Sequence, residues 1–143
     1  MEKLLISTCL LGVETRYDGG HNLLPKLHLL KERYILISAC PEVDGGLPTP
    51  RDPAERIGES VLTITNEDVT EQFNLGANIA LDLCKKHKIK KALLKKNSPS
   101  CGHSQIYDGS FSGNLINRDG VTAELLKANR IKVYNEDEID KLL

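Results

Sequence analysis

Four short apolar runs recur along the chain with helical patterns between them, and this alternation restricts the possible fold more than any other feature. The runs are "KLLIST" (3–8), "RYILISA" (33–39), "IKKALLK" (89–95) and "IKVYN" (131–135). Each has strand length and is built around β-branched or large aliphatic residues, as buried strands are. Between the first two, "LLPKLHLLKER" has leucines at 23, 24, 27, 29 and 30, a short helix with Pro25 in its first turn. "EDVTEQFNLGANIALDLCKKHK" (67–88) is the strongest helix. Asp68 and Glu71 stand at capping-box spacing, Phe73, Ala77, Ala80 and Cys84 share one face, and lysines gather at the C-terminal end, where the helix dipole favours them. "GVTAELLKANR" reads as a further helix. "NEDEIDKLL" closes the chain as a helix with a second capping box at Asn135 and Glu138. Strands alternating with helices predict a mostly parallel sheet with helices packed on it. The expected architecture is a compact three-layer α/β domain, Rossmann-like or flavodoxin-like, spanning 1–143 as one domain. Strand order is not legible.

Two other stretches depart from this rhythm. "CPEVDGGLPTPRDPAE" (40–55) holds four of the six prolines, so it is expected to be a shaped loop and neither a helix nor a central strand. "SVLTIT" (60–65) alternates and suggests a short edge strand. "KKNSPSCGHSQIYDGSFSG" (95–113) is almost free of aliphatic residues, and loops of that length are uncommon unless functional.

The formal net charge of -1 argues against a general nucleic-acid binder or a large RNA partner. No apolar run approaches the ~18 residues needed to span a membrane. The opening "MEKLLISTCLLG" is too short and too quickly polar for a signal peptide, so a cytoplasmic location is expected. Disulfides are disfavoured there. There is no C-x-x-C pair, which removes zinc ribbons and thioredoxin-type motifs.

Three of the four cysteines then fall into a pattern. Cys9 and Cys40 follow the first two strand runs directly, and Cys101 lies a few residues beyond the third. Carboxyl ends of parallel strands share one edge of the sheet, where ligands bind. Cys84 lies mid-helix on the apolar face and reads as a small buried hydrophobe. The bland alternative for the other three is unrelated small residues at crowded strand ends. Their polar, glycine-rich surroundings favour a metal site instead. Three thiolates suit zinc, cuprous copper or an iron–sulfur cluster, and leave one position open, the mark of a catalytic metal. His103 as fourth ligand would make a closed Cys3His zinc site. A zinc-dependent hydrolase using the same thiolates, or a non-enzymatic metal or redox sensor, stays open on these residues alone.

"CLLGVETRYDGGH", "CPEVDGGLPTPR", "VTEQFNLGA", "LLKKNSPSCG" and "IYDGSFSG…GVTAELLKANRIKVYNE" resemble, in order, the segments of the thiouracil desulfidase family over about Leu5 to Glu136. The resemblance implies a [4Fe-4S] cluster held by Cys9, Cys40 and Cys101, with one open iron site. It implies non-redox desulfuration of thiouracil or a thiouridine nucleotide, with release of sulfide; the partner is then a small thiolated pyrimidine. Many members carry a cysteine just before "RYDG"; here Thr15 stands there. Glu42, two residues past Cys40, is the candidate base for water, or else a helix-start or loop-capping carboxylate. Ser98 would hydrogen-bond substrate or relay a proton, or else close a turn in "NSPS". Arg16 and Asp18 would line the site or pair with each other. Arg51 would meet a substrate phosphate, or else be a plain surface or buried salt-bridge arginine, with Lys95 and Lys96 as lesser candidates. Ser112, in "SFSGN", would contribute to an anion nest.

Overall fold

The computed structural model describes residues Met1–Leu143. Eight strands run in chain order as β1 (Glu2–Ser7), β2 (Tyr34–Ala39), β3 (Ala54–Ile57), β4 (Ser60–Thr63), β5 (Lys91–Leu93), β6 (Ile106–Tyr107), β7 (Leu115–Ile116) and β8 (Lys132–Tyr134). Four helices accompany them: α1 (Leu27–Arg33), α2 (Pro41–Asp44), α3 (Thr70–His87) and α4 (Val121–Ala128). The core is a four-stranded sheet in the order β2-β1-β5-β8, with every neighbouring pair parallel. Its second strand lies on one side of β1 and its third on the other. The winding therefore reverses between β1 and β5, the position where doubly wound sheets open a ligand crevice.

Side-chain alternation along the strands builds the layers. Leu5, Ala92 and Val133 share an apolar cluster with Ala80 and Cys84 of α3 and Ala123 and Leu126 of α4. Leu4, Ile6 and Leu93, one position away, join Leu30 of α1, Ile139 of the C-terminal 3-10 helix (Glu136–Lys141) and Leu142 just after it on the other face. The Tyr34 hydroxyl donates to the Leu142 carbonyl at 2.6 Å, tying that C-terminal turn to β2. This is the expected three-layer α/β arrangement. No helix is long and apolar enough to cross a membrane.

Local readings need correction. The proline-rich segment 40–55 contains a one-turn helix, α2, because Pro41 sits at its first position, where the missing N–H costs nothing. It also ends in β3, which pairs antiparallel with β4 in a separate hairpin rather than on an edge of the main sheet. Pro25 precedes α1 instead of lying in its first turn. α3 starts at Thr70, after a Val69 cap; Asp68 accepts from the Thr70 amide at 2.9 Å and no capping box forms. The second capping box does form, Asn135 with Glu138, but the helix it opens is 3-10. The long loop after β5 contains the β6–β7 hairpin.

Candidate metal centre and substrate cavity

Each cysteine-bearing segment is the first stretch of chain beyond a parallel strand. β1 runs into a 3-10 turn, Thr8–Leu11, that carries Cys9. β2 runs into Cys40, which caps α2; its amide donates to Asp44 Oδ2 at 3.1 Å. A backbone contact fixes where α2 sits. A Cβ at Gly76 would stand 1.8 Å from the Pro41 carbonyl oxygen, so only glycine in α3 lets α2 dock there.

The third segment, after β5, is folded by Ser98. Its Oγ accepts from the amides of Ser100 (3.1 Å) and Cys101 (3.0 Å), and its carbonyl from Gly102 (2.8 Å). The carbonyls of Pro99 and Ser100 then accept from Val121, Thr122 and Ala123, the first amides of α4. These contacts satisfy donors that a helix start leaves orphaned, and α4 accordingly has no side-chain cap. The buried Ser100 and Thr122 hydroxyls close the joint at 2.8 Å. Gly102 is needed because a Cβ would stand 2.7 Å from the Ser98 carbonyl and 2.8 Å from that of Gln105. The close approach is thus within the loop itself.

Cys9, Cys40 and Cys101 meet in one cavity of about 540 Å³ at the β1/β5 switch point. Burial pushes all three thiols up, Cys101 far up. For Cys9 the Asn22 side chain offsets part of this, the Cys40 sulfur adds to it, and Lys95 opposes it. For Cys101 the Ser7 hydroxyl opposes burial, while Cys40 and Cys9 add to it. The Cys40 sulfur therefore bears on both of the other thiols. Yet no three His, Cys, Asp or Glu side chains crowd around one point as a single ion requires. Cys84 lies elsewhere, in the core beside α4, with burial raising its thiol to about 11.

Glu42, in the first turn of α2, lines the same cavity. Burial raises its carboxyl and Arg51 partly restores it. Arg51 Nε donates to Glu42 Oε1 at 3.2 Å, Nη2 to the Thr15 carbonyl at 3.0 Å, and Nη1 to the Pro48 carbonyl (3.3 Å) and Thr49 Oγ1 (3.2 Å). A guanidinium has five N–H donors. Four are committed to protein, so Arg51 is built as a brace and is poorly available to a phosphate. The Thr15 carbonyl also lies 3.9 Å from Cys40 Sγ. Thr15 thus acts here through its backbone carbonyl.

Arg16 and Ser98 line the cavity; Asp18 and Ser112 stand outside its lining. Asp18 Oδ2 accepts from Arg16 Nη2 at 3.0 Å, and Arg16 Nη1 donates to Asn22 Oδ1 at 3.1 Å, so Asp18 steadies the residues behind Cys9. Ser112 Oγ accepts from Asn114 Nδ2 at 3.0 Å and pairs with Ser110. His103 is engaged through Nε2 with Glu138, away from the cavity lining, so it is not placed as a fourth ligand. Lys95 and Lys96 both line the cavity; Lys95 pairs with Glu136 at 3.0 Å and Lys96 with Asp137 at 3.0 Å. Sequence reasoning missed Asn22 and Glu55, both cavity-lining, whereas Tyr107 and Phe111 line it from the glycine- and serine-rich stretch whose sequence suggests a pocket wall. Asn22 shares the glycine-rich "RYDGGHN" turn, a usable signal; Glu55 offers none.

The doubly wound fold with a three-thiol cavity at its switch point belongs to the ligand-binding α/β proteins. The family model described as 2-thiouracil desulfurase matches residues 4–138, and the chain belongs to that family. The uncharacterized protein YbbK of Bacillus subtilis (strain 168) is 41% identical over 150 residues, covering 98% of this chain and 99% of that one. A solved structure titled [4Fe-4S]-dependent thiouracil desulfidase TudS shares 46% identity and a TM-score of 0.95, covering 99% of this chain and 95% of the other.

Proposed function

We propose that this chain is a [4Fe-4S]-dependent desulfidase that exchanges the sulfur of a thiolated pyrimidine, free base or nucleotide, for oxygen from water. The observation that carries the reading is the convergence of Cys9, Cys40 and Cys101 on one cavity in a chain of this family. The donor set fits the cluster. Thiolates are its usual ligands, three leave one iron open, and buried thiols exchange their protons for metal without stranding charge.

The reaction balances as C=S plus water giving C=O plus hydrogen sulfide, with no electron entering or leaving. When bound, the cluster would supply a soft Lewis-acidic iron for the thiocarbonyl sulfur. The protein's own groups handle the proton and the water. Glu42 takes the proton of the attacking water. Arg51 holds Oε1 and leaves Oε2 for the cavity. A carboxyl raised by burial is closer to working pH and is a better base for it. The Ser98 oxygen accepts two amides, so its hydrogen is free to donate to the substrate ring. Arg16, at the cavity wall, offers its remaining N–H groups to a substrate oxygen.

The test is sulfide release from 4-thiouracil and 4-thiouridine monophosphate by protein loaded with cluster under anaerobic conditions. Turnover by the wild type and at least a hundredfold loss in Glu42→Gln, with iron content kept, supports the reading. Full iron content without sulfide release from either compound refutes it.

A further inference from the structure

The chain has only four tyrosines and two phenylalanines. Three of these six rings, Tyr17, Tyr107 and Phe111, line the cavity that holds the cysteines. The other three serve the cores: Phe73 and Tyr34 are buried, and Tyr134 packs against the cluster under α1. A protein so poor in aromatics has placed half of them around one space.

Phe111 is held there at a cost. Its φ is +55°, the left-handed region that a bulky L-residue enters only under constraint. Gly109 and Gly113, on either side, also have positive φ, so glycine is used elsewhere in this same turn. The constraint is visible. Glu55, on β3 and 8% exposed, accepts with its Oε1 from both the Gly109 amide (2.9 Å) and the Phe111 amide (3.1 Å). β3 is itself fastened to α4, since the buried Arg56 donates to the Asp119 carbonyl at 2.9 Å and pairs with Glu124 at 3.0 Å. Strained residues persist where their surroundings over-determine them, and they concentrate at ligand clamps.

We infer that Phe111 is the platform on which the flat ring of the substrate stacks, and that Glu55 is the positioning residue that presents it. The inference rests on the pyrimidine reading above and adds how the ring is recognised. An aromatic face binds any flat heteroaromatic ring and contributes the same to thiolated substrate and oxygenated product. It holds the ring plane while the cysteine-lined end of the cavity acts on the sulfur.

The experiment uses cluster-loaded enzyme with whichever of 4-thiouracil or 4-thiouridine monophosphate the wild type turns over. It measures KM for that compound and Ki for its oxygenated product. Base stacking lost to alanine corresponds to roughly 5- to 150-fold in affinity. Phe111→Ala is expected to raise KM and Ki together, by about tenfold, with kcat within about threefold and iron content unchanged. Phe111→Tyr, which keeps the ring, restores both. Glu55→Ala behaves like Phe111→Ala although its phenyl ring is intact, and Glu55→Gln, which keeps the Oε1 acceptor, behaves like wild type. Phe111→Gly raises Tm by a few degrees while still raising KM, the signature of strain held for binding. A wild type that turns over while Phe111→Ala leaves KM and Ki within twofold overturns the platform alone. A rise in KM without a rise in Ki overturns it too. A wild type that turns over neither compound removes the reading on which it rests.

Discussion

Arg51 Nε stands 3.2 Å from Glu42 Oε1, and the same guanidinium reaches the Thr15 carbonyl at 3.0 Å. One side chain, only 8% exposed, therefore fixes both the carboxylate and the strand of loop beside Cys40. Arg51→Met is expected to lower kcat by about tenfold to a hundredfold with iron content retained. Arg51→Lys, which keeps charge but not the fork of donors, is expected to fall between.

The same pair sets a pH dependence. Burial raises the Glu42 carboxyl and Arg51 lowers it in part. A base works only when ionised, so kcat falls as pH drops through this raised value, at higher pH than for an ordinary carboxylate. Removing Arg51 removes a lowering influence, so the acid limb of the kcat profile moves to still higher pH in Arg51→Met. An unmoved limb in a pH–rate series would show that Glu42 is not the titrating base.

Gly76→Ala tests the docking of α2. Its Cβ would overlap the Pro41 carbonyl oxygen, a backbone atom that no rotamer change can move. Overpacking of this kind costs typically 1–3 kcal/mol, and α2 carries Glu42 and is capped by Cys40. The expected outcome is a lowered urea midpoint together with reduced iron retention. Normal stability and normal iron would show that α2 sits elsewhere.

Glu138 joins the third cysteine segment to the C-terminal turn. Burial opposes its ionisation, but hydrogen bonds from His103, Lys141 and the Asn135 amide outweigh that and hold the carboxyl at about 2. A depressed carboxyl contributes stability above its unfolded value of about 4.5 and loses it as pH falls toward 2. Near the surface, screening leaves on the order of 1 kcal/mol. Thermal melts should show Glu138→Gln less stable than wild type at pH 7, with the gap closing between about pH 4.5 and 2. A gap that persists at pH 2 would assign the loss to something other than the carboxylate charge.

How much of this was legible in the sequence follows from the range of the forces involved. The parallel sheet was legible because Leu4, Leu5, Ile6, Ala92 and Leu93 are buried from both sides, and such strands are apolar throughout. The strand-end position of Cys9, Cys40 and Cys101 follows from the same runs. β6 and β7 were not legible, because two-residue strands carry no usable period, and β3 was hidden by the prolines just before it. The short helix at Pro41 was hidden by prolines farther along its segment. Arg51 was expected at a phosphate because sequence cannot show that its donors are already taken, and Glu55 acts on Phe111 across 56 residues. Ser98 was legible as a turn former, and the structure shows the turn; its free hydroxyl hydrogen leaves the substrate role to experiment.

The measurement that tests the central claim most directly is the iron and acid-labile sulfide content of wild type, Cys84→Ala and Cys101→Ala, each loaded and purified without oxygen. Three converging thiols holding one cluster predict about four irons and four sulfides per chain in wild type and Cys84→Ala, and loss of both in Cys101→Ala. A single zinc per chain, or a Cys101→Ala protein that loads as fully as wild type, would contradict it.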